Sequence, residues 1–206
     1  MFCFSFAAMS VVSPYFTFPP VSWWSRVVGA DTLILDIAEN FQKMSYRNRY
    51  RVSGSNNPVL LSIPLVNGRD QHIPVKEVQI HNETRWQTQH WRTLVSVYKR
   101  SPFFDHYEDS LKALFETEFT LLTDFNKAAL LWVKEQLKMN FTIRETDVFV
   151  KDYPAEVVDL RKMKVFNANL PKYYQVFEDR VGFIPDLSIL DLLFSEVPGA
   201  VDKLTG

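Results

Sequence analysis

The stretch SVVSPYFTFPPVSWWSRVVGADTLILDI, residues 10–37, decides the fold. Ser10-Val11-Val12-Ser13 is a short apolar run closed by Pro14, the pattern of a buried strand. Pro19 and Pro20 close a loop rich in aromatics. Pro20 suits the first turn of a helix, because the N–H it lacks would have had no partner there. That helix is expected over 21–28, stopped by Gly29. A strongly apolar strand follows at 32–37, Thr32-Leu33-Ile34-Leu35-Asp36-Ile37. Strand, loop, helix and strand in this order make a βαβ unit, with parallel strands and a right-handed crossover.

Three further strands are expected downstream, at 45–53, 59–66 and 73–80. Gly54-Ser55-Asn56-Asn57-Pro58 and Asn67-Gly68 separate them, and such short connections favour antiparallel pairing. Helical patterns then run over 85–100, 107–115 and 121–139, with Ser101-Pro102-Phe103-Phe104 read as a loop that exposes aromatics. Weaker strand signals lie at 141–144 and 173–177, and a last helix at 186–195 stops before Pro198-Gly199. The expected class is α/β, with α+β as the variant: a mixed sheet beginning with the βαβ unit, then antiparallel strands and a helical middle region. One domain is expected over 10–206. Residues 1–9 read as a non-native or mobile extension, since Met9 opens MSVVSPYF as a natural start.

Composition narrows the function. Across 206 residues, 23 Lys and Arg face 24 Asp and Glu, for a net charge of -1. That balance lacks the basic excess on which general nucleic-acid binding depends, so any anion site must be a local cluster. A single cysteine, Cys3, excludes an intramolecular disulfide and a cysteine-based metal cluster. The histidines show no metal-ligand spacing, and HExxH, GxSxG, the P-loop and GxGxxG are all missing from the sequence. No metal is expected, and no cofactor is named by any motif. No apolar run reaches the length of a membrane span, and the chain reads as cytoplasmic.

The local cluster is Tyr46-Arg47-Asn48-Arg49-Tyr50-Arg51. At a period of two, Arg47, Arg49 and Arg51 share one strand face, while Tyr46, Asn48, Tyr50 and Val52 share the other. Two readings are open: a solvated face, or a site for phosphate or carboxylate, which guanidinium forks match bidentately. Internal counter-charges are also available, from Glu39 and Asp36 upstream or from Asp191 in the closing helix. On the helix over 85–100, at about 100° per residue, Trp86, His90, Trp91, Leu94, Val95, Val97 and Tyr98 fall on one side. His90 is thus either a hydrogen-bonded core residue or a general acid–base at a cleft edge. In Gly182-Phe183-Ile184-Pro185-Asp186-Leu187-Ser188-Ile189-Leu190-Asp191, Asp186 reads as a helix N-cap. Asp191 reads as a buried carboxylate in need of a partner.

These pieces occur in a particular order: SPYFTFP, an apolar strand ending in Asp, SYRNR, W-x-x-x-H on a helix, YKRSPFF and FIPDLSILDLLF. The ordered set, spanning Ser10 to about Ala200, resembles the WbqC-like family. Its members are often encoded with enzymes of bacterial surface-polysaccharide (O-antigen) biosynthesis. The resemblance therefore implies a pathway more than a reaction. The clustered arginines and the histidine favour an enzyme of transferase type acting on a small anionic or nucleotide-linked precursor. By position Arg47, Asn48, Arg49, Tyr15, Asp36 and His90 recur in the family, and in the enzyme reading the first five bind substrate while His90 transfers the proton. Asp186, Ser188, Asp191 and Trp86 would stand behind them. A non-catalytic binding or scaffold protein of the same pathway is the alternative. A nucleotidylyltransferase-like enzyme is a more remote one, since the loop at 14–20 has no histidine. The chain also departs from the common pattern: Ser13-Pro14 stands for S-Q-P, and Pro20-Val21-Ser22-Trp23-Trp24 for W-x-G-Y-F.

Overall fold

The computed structural model describes residues 9–161, 171–196 and 199–205. The expected extension lies outside the described residues up to position 8. Strand β1 (Ser10–Ser13), helix α1 (Val21–Val27) and strand β2 (Thr32–Leu35) form the expected βαβ unit, with Ser10 opposite Thr32 and Ser13 opposite Leu35 in a parallel ladder. Two later strands complete this sheet. β5 (Thr142–Glu145) adds in parallel to β2 and β6 (Val157–Asp159) adds in parallel to β1, for an order β5-β2-β1-β6. Val11, Val12 and Leu33 have no exposed surface, as expected of a parallel sheet covered on both faces.

The next two strands form a separate antiparallel pair. β3 (Arg49–Val52) lies against β4 (Val59–Ser62), with Arg49 opposite Ser62 and Arg51 opposite Leu60. Within β3 the side chains alternate as expected: Tyr50 and Val52 are buried, Arg49 and Arg51 half-buried. Helices α2 (Trp86–Tyr98), α3 (Phe104–Glu116) and α4 (Leu122–Gln136) cover this pair. Their interface is aromatic: Phe18, Tyr50, Trp86, His90, Phe115 and Phe125 meet in edge-on or tilted contacts of 5.2–6.4 Å. Such geometry adds to plain area burial.

Several expectations are corrected. Residues 73–80 form no strand but a turn around a 3-10 helix, Val75–Glu77. Pro74 has no ladder donor, and Val75 and Val78 both point inward at the three-residue spacing of that turn. The segment 173–177 is not a strand either. The side chain of Gln175 bonds both N–H and C=O of Ile184, taking the place of a ladder, and a short helix α5 (Glu178–Val181) follows. Helix α3 begins at Phe104, which has no exposed surface, so the loop ahead of it does not present both phenylalanines.

The closing helix α6 (Ile189–Ser195) is capped by Ser188, whose Oγ accepts from the Leu190 N–H, and not by Asp186. Asp186 stands in the left-handed region at φ 60° and instead accepts the Ser22 N–H in the first turn of α1. Around it the chain crosses the start of α1: Val21 N–H donates to Leu187 C=O, and Ile189 N–H donates to Pro19 C=O. Ser188 Oγ donates to Phe18 C=O. A last short helix, α7 (Ala200–Thr205), was not expected. Among the described residues no helix is long and apolar enough to cross a membrane.

Candidate functional site

The parallel strands direct their carboxyl ends to one edge. Ser13 leads there into Tyr15 and Phe16, Leu35 into Asp36, and Asp159 into Arg161. From β1 the chain runs to β2 on one side, while β6 lies on the other. Open α/β sheets place ligands outside the strand carboxyl ends at such a reversal. A cavity of about 300 Å³ opens beside it, lined by Phe16, Arg161, the turn Gln42–Arg47, and Arg49, Arg51 and Leu60 of the antiparallel pair. Four arginines and Lys43 thus surround one space, and the lining contains no histidine or carboxylate.

Those arginines are not equivalent. Arg47 lies before β3, in a turn, and is only 2% exposed, which corrects its expected place on the outward face. Its Nε and Nη2 both donate to Glu39 Oε1, at 2.8 and 2.5 Å, while Nη1 has no hydrogen bond among the described residues. Burial raises the Glu39 carboxyl to about 7 against the pull of Arg47, and lowers the Arg47 guanidinium in turn. Arg161 is fully occupied. It donates to Asp159, to Asp36 at 2.8 Å and to two backbone carbonyls, and lies 4.8 Å from the Tyr153 ring centre. The Asp159 bonds above all hold its guanidinium charged.

Arg49 and Arg51 differ from both. Among the described residues Arg49 reaches only the Ser45 carbonyl and the Met44 sulfur, and Arg51 the Asp186 carbonyl and the Tyr46 ring hydroxyl. Neither has a carboxylate within ion-pair distance among the described residues, so Asp191 is not the side-chain counter-charge expected for them. Burial first, and then the like charge of Arg69, pull the Arg49 guanidinium below its usual range. Two cations thus face one space without a carboxylate partner among the described residues, in the fork geometry that guanidinium groups offer to anions.

His90 does not join them. It is 2% exposed beneath α2, against Trp86 and Tyr50 at ring distances of 5.2 and 5.5 Å. Its Nε2 lies 3.2 Å from the Ser62 carbonyl, which only accepts, so Nε2 carries the proton and Nδ1 accepts from the Tyr50 hydroxyl. Burial lowers this imidazole to about 4. A neutral ring with both nitrogens taken is the core histidine of the two sequence readings, not the cleft acid–base. Asp191 is equally enclosed. Tyr98 donates to Oδ1 at 2.6 Å and Tyr173 to Oδ2 at 2.9 Å, and burial raises its carboxyl to about 6 despite both bonds.

The remaining candidates scatter. Asn48 donates to Ile63 C=O at 2.9 Å, beside the pocket rather than in it. Tyr15 is buried and donates to Glu145, which Lys127 also meets. Asp36 has no exposed surface. It accepts from the Ala38 and Glu39 N–H groups, from Thr146 and from Arg161, and so fixes the turn that follows β2. Trp86 donates to Asn82 Oδ1. Arg161, Phe16 and Lys43 were not singled out from sequence. The signal for Arg161 was the β-branched pair Val157-Val158 followed by Asp-Leu-Arg, a strand whose carboxyl end delivers charge. Among the described residues no group of three or more His, Cys, Asp or Glu gathers to hold a metal.

Comparison with known proteins returns no match among curated proteins and none among solved structures. The family model described as WbqC-like protein family matches residues 14–162, which include the whole lining of the pocket and leave the closing helix outside, and the chain belongs to that family.

Proposed function

We propose that the arginine pocket takes up an anionic, activated precursor in the assembly of a bacterial surface polysaccharide, O-antigen or capsule. The observation that carries this reading is the pair Arg49 and Arg51, lining one cavity of about 300 Å³ without a carboxylate partner among the described residues. Its place at the carboxyl ends of a parallel sheet supports the same reading. The pathway rests on the family.

The lining favours recognition over proton transfer. It holds guanidiniums, an ammonium, hydroxyls and an amide, but no acid or base that titrates near neutrality. A transferase reading uses the same residues as electrostatic partners of a departing phosphate, a role that fixed cations fill without moving a proton. His90 has no part in either version.

The test is a thermal-shift screen of nucleotide-sugars and acyl-CoAs on the wild type and on R49A/R51A. A ligand of the native state raises the melting temperature by mass action. At least one anionic donor is expected to shift the wild type and to leave the double variant unmoved. No shift with any donor, or equal shifts in both proteins, would overturn the proposal.

A further inference from the structure

Beside the two uncompensated arginines lie two exposed apolar side chains. Leu60 stands directly across the ladder from Arg51 and is 52% exposed. Met44, whose sulfur touches Arg49, is 67% exposed. Both line the same cavity, with the Phe16 and Tyr46 rings, which meet edge-on at 6.0 Å, behind them. Leu60 leaves its neighbour Leu61 to fill the core, so a strand that had only to face water would place a polar residue at 60. The site therefore combines two positive charges with an apolar wall, which a small inorganic anion would leave unused.

We infer that the pocket is a nucleoside diphosphate site, with the diphosphate across Arg49 and Arg51 and the base against Leu60, Met44 and the guanidinium planes. This inference rests on the anion-site reading above and names its ligand class. The charge count supports it, since an esterified diphosphate carries two negative charges and the pocket offers two cations without an internal partner. Arg47 and Arg161 enter already paired, to Glu39 and to Asp36 and Asp159. The cavity matches the lower end of the size range for small-ligand sites, about 300–1,000 Å³. It is enough for the phosphates and the face of a base, while the sugar that a diphosphate would carry projects toward solvent. Guanidinium and apolar side chains both stack on bases with little regard to sequence.

The experiment is isothermal titration of the full chain with inorganic pyrophosphate, UMP, UDP and ADP, and sedimentation with phosphatidylcholine vesicles containing phosphatidate. A nucleoside diphosphate is expected to bind about tenfold or more tightly than pyrophosphate or UMP. Leu60→Ser is expected to remove that advantage while leaving pyrophosphate binding unchanged, and Arg51→Ala to weaken pyrophosphate and nucleotide alike. Pyrophosphate binding as tightly as UDP, unaffected by Leu60→Ser, overturns the nucleoside but leaves the anion site. Arginine-dependent capture by the phosphatidate vesicles without UDP binding overturns it in favour of a lipid phosphate. Binding of no phosphate at all overturns this inference and the anion-site reading together.

Discussion

The interior beneath α2 and the mouth of the arginine pocket both hold polar side chains, in opposite ways. Beneath α2, His90 has a partner on each ring nitrogen and Asp191 a tyrosine on each oxygen, all out of water. At the pocket, Arg49 and Arg51 meet, among the described residues, only carbonyls, a thioether and a hydroxyl. A buried polar group with every valence met specifies a fold, because any loosening leaves something unpaired. Partly exposed like charges that converge without an anion do not stabilise the fold, and they point outward to a ligand. Arg47 marks the border: two residues from Arg49, it belongs with the interior.

The sharpest way to break this contrast is Arg47→Ala. It strands the Glu39 carboxylate, 4% exposed, and is expected to cost about 3–5 kcal/mol in urea unfolding. The double variant E39L/R47M should recover most of that loss, since an apolar pair of similar size avoids the buried charge. An R47A protein as stable as the wild type would move Arg47 into the ligand site.

The next effect is one of pH. His90 titrates near 4 when folded, below its ordinary 6.5, so the unfolded chain takes the proton first. Its contribution is complete above pH 6.5 and is lost as pH falls toward 4, by roughly 3 kcal/mol. Asp191, raised from 3.8 to about 6, runs the other way: the native state takes the proton first, and stability declines as pH rises through that window. Glu39, raised from 4.5 to about 7, acts in the same direction as Asp191, so these three groups together stabilise the wild type as pH falls from 7 to 4.5. H90Q should therefore gain more stability than the wild type on acidification, and D191N less. Parallel stability profiles for all three proteins would refute this assignment.

Ser188→Ala removes both the α6 cap and the bond to Phe18, and is expected to cost about 1–2 kcal/mol by denaturant midpoint. Smallest on stability are Arg49→Ala and Arg51→Ala, each within about 0.5 kcal/mol of wild type. Each should nevertheless weaken the ligand-induced thermal shift. A large loss of stability from either would place it with Arg47.

How far the sequence could be read follows from where the determinants sit. The βαβ unit was legible because its apolar runs, Pro20 and Gly29 are all local. β6 was not, for Val157–Asp159 is too short to show a period, and it is a strand only through its ladder with β1. The alternation in YRNRYR was read correctly for 49–52 and failed at Arg47, because β3 starts two residues later and the turn swings Arg47 inward to Glu39. The aromatic side of α2 was evident from helical spacing, and so was the enclosure of His90 as one of two readings. Arg161 comes to the pocket from more than a hundred residues away, a placement only tertiary structure supplies.

The crossing of the closing segment over α1 has a temporal consequence. Ser188 and Phe18, bonded in the folded protein, are 170 residues apart in the chain. At about 5–20 residues per second, translation separates their appearance by roughly ten to thirty seconds. Through that interval α1, which carries Trp23 and Trp24, lacks its cover by α6 and α7. Contacts of such separation slow folding, and the nascent chain is expected to depend on transient protection of this aromatic surface until its last sixth emerges.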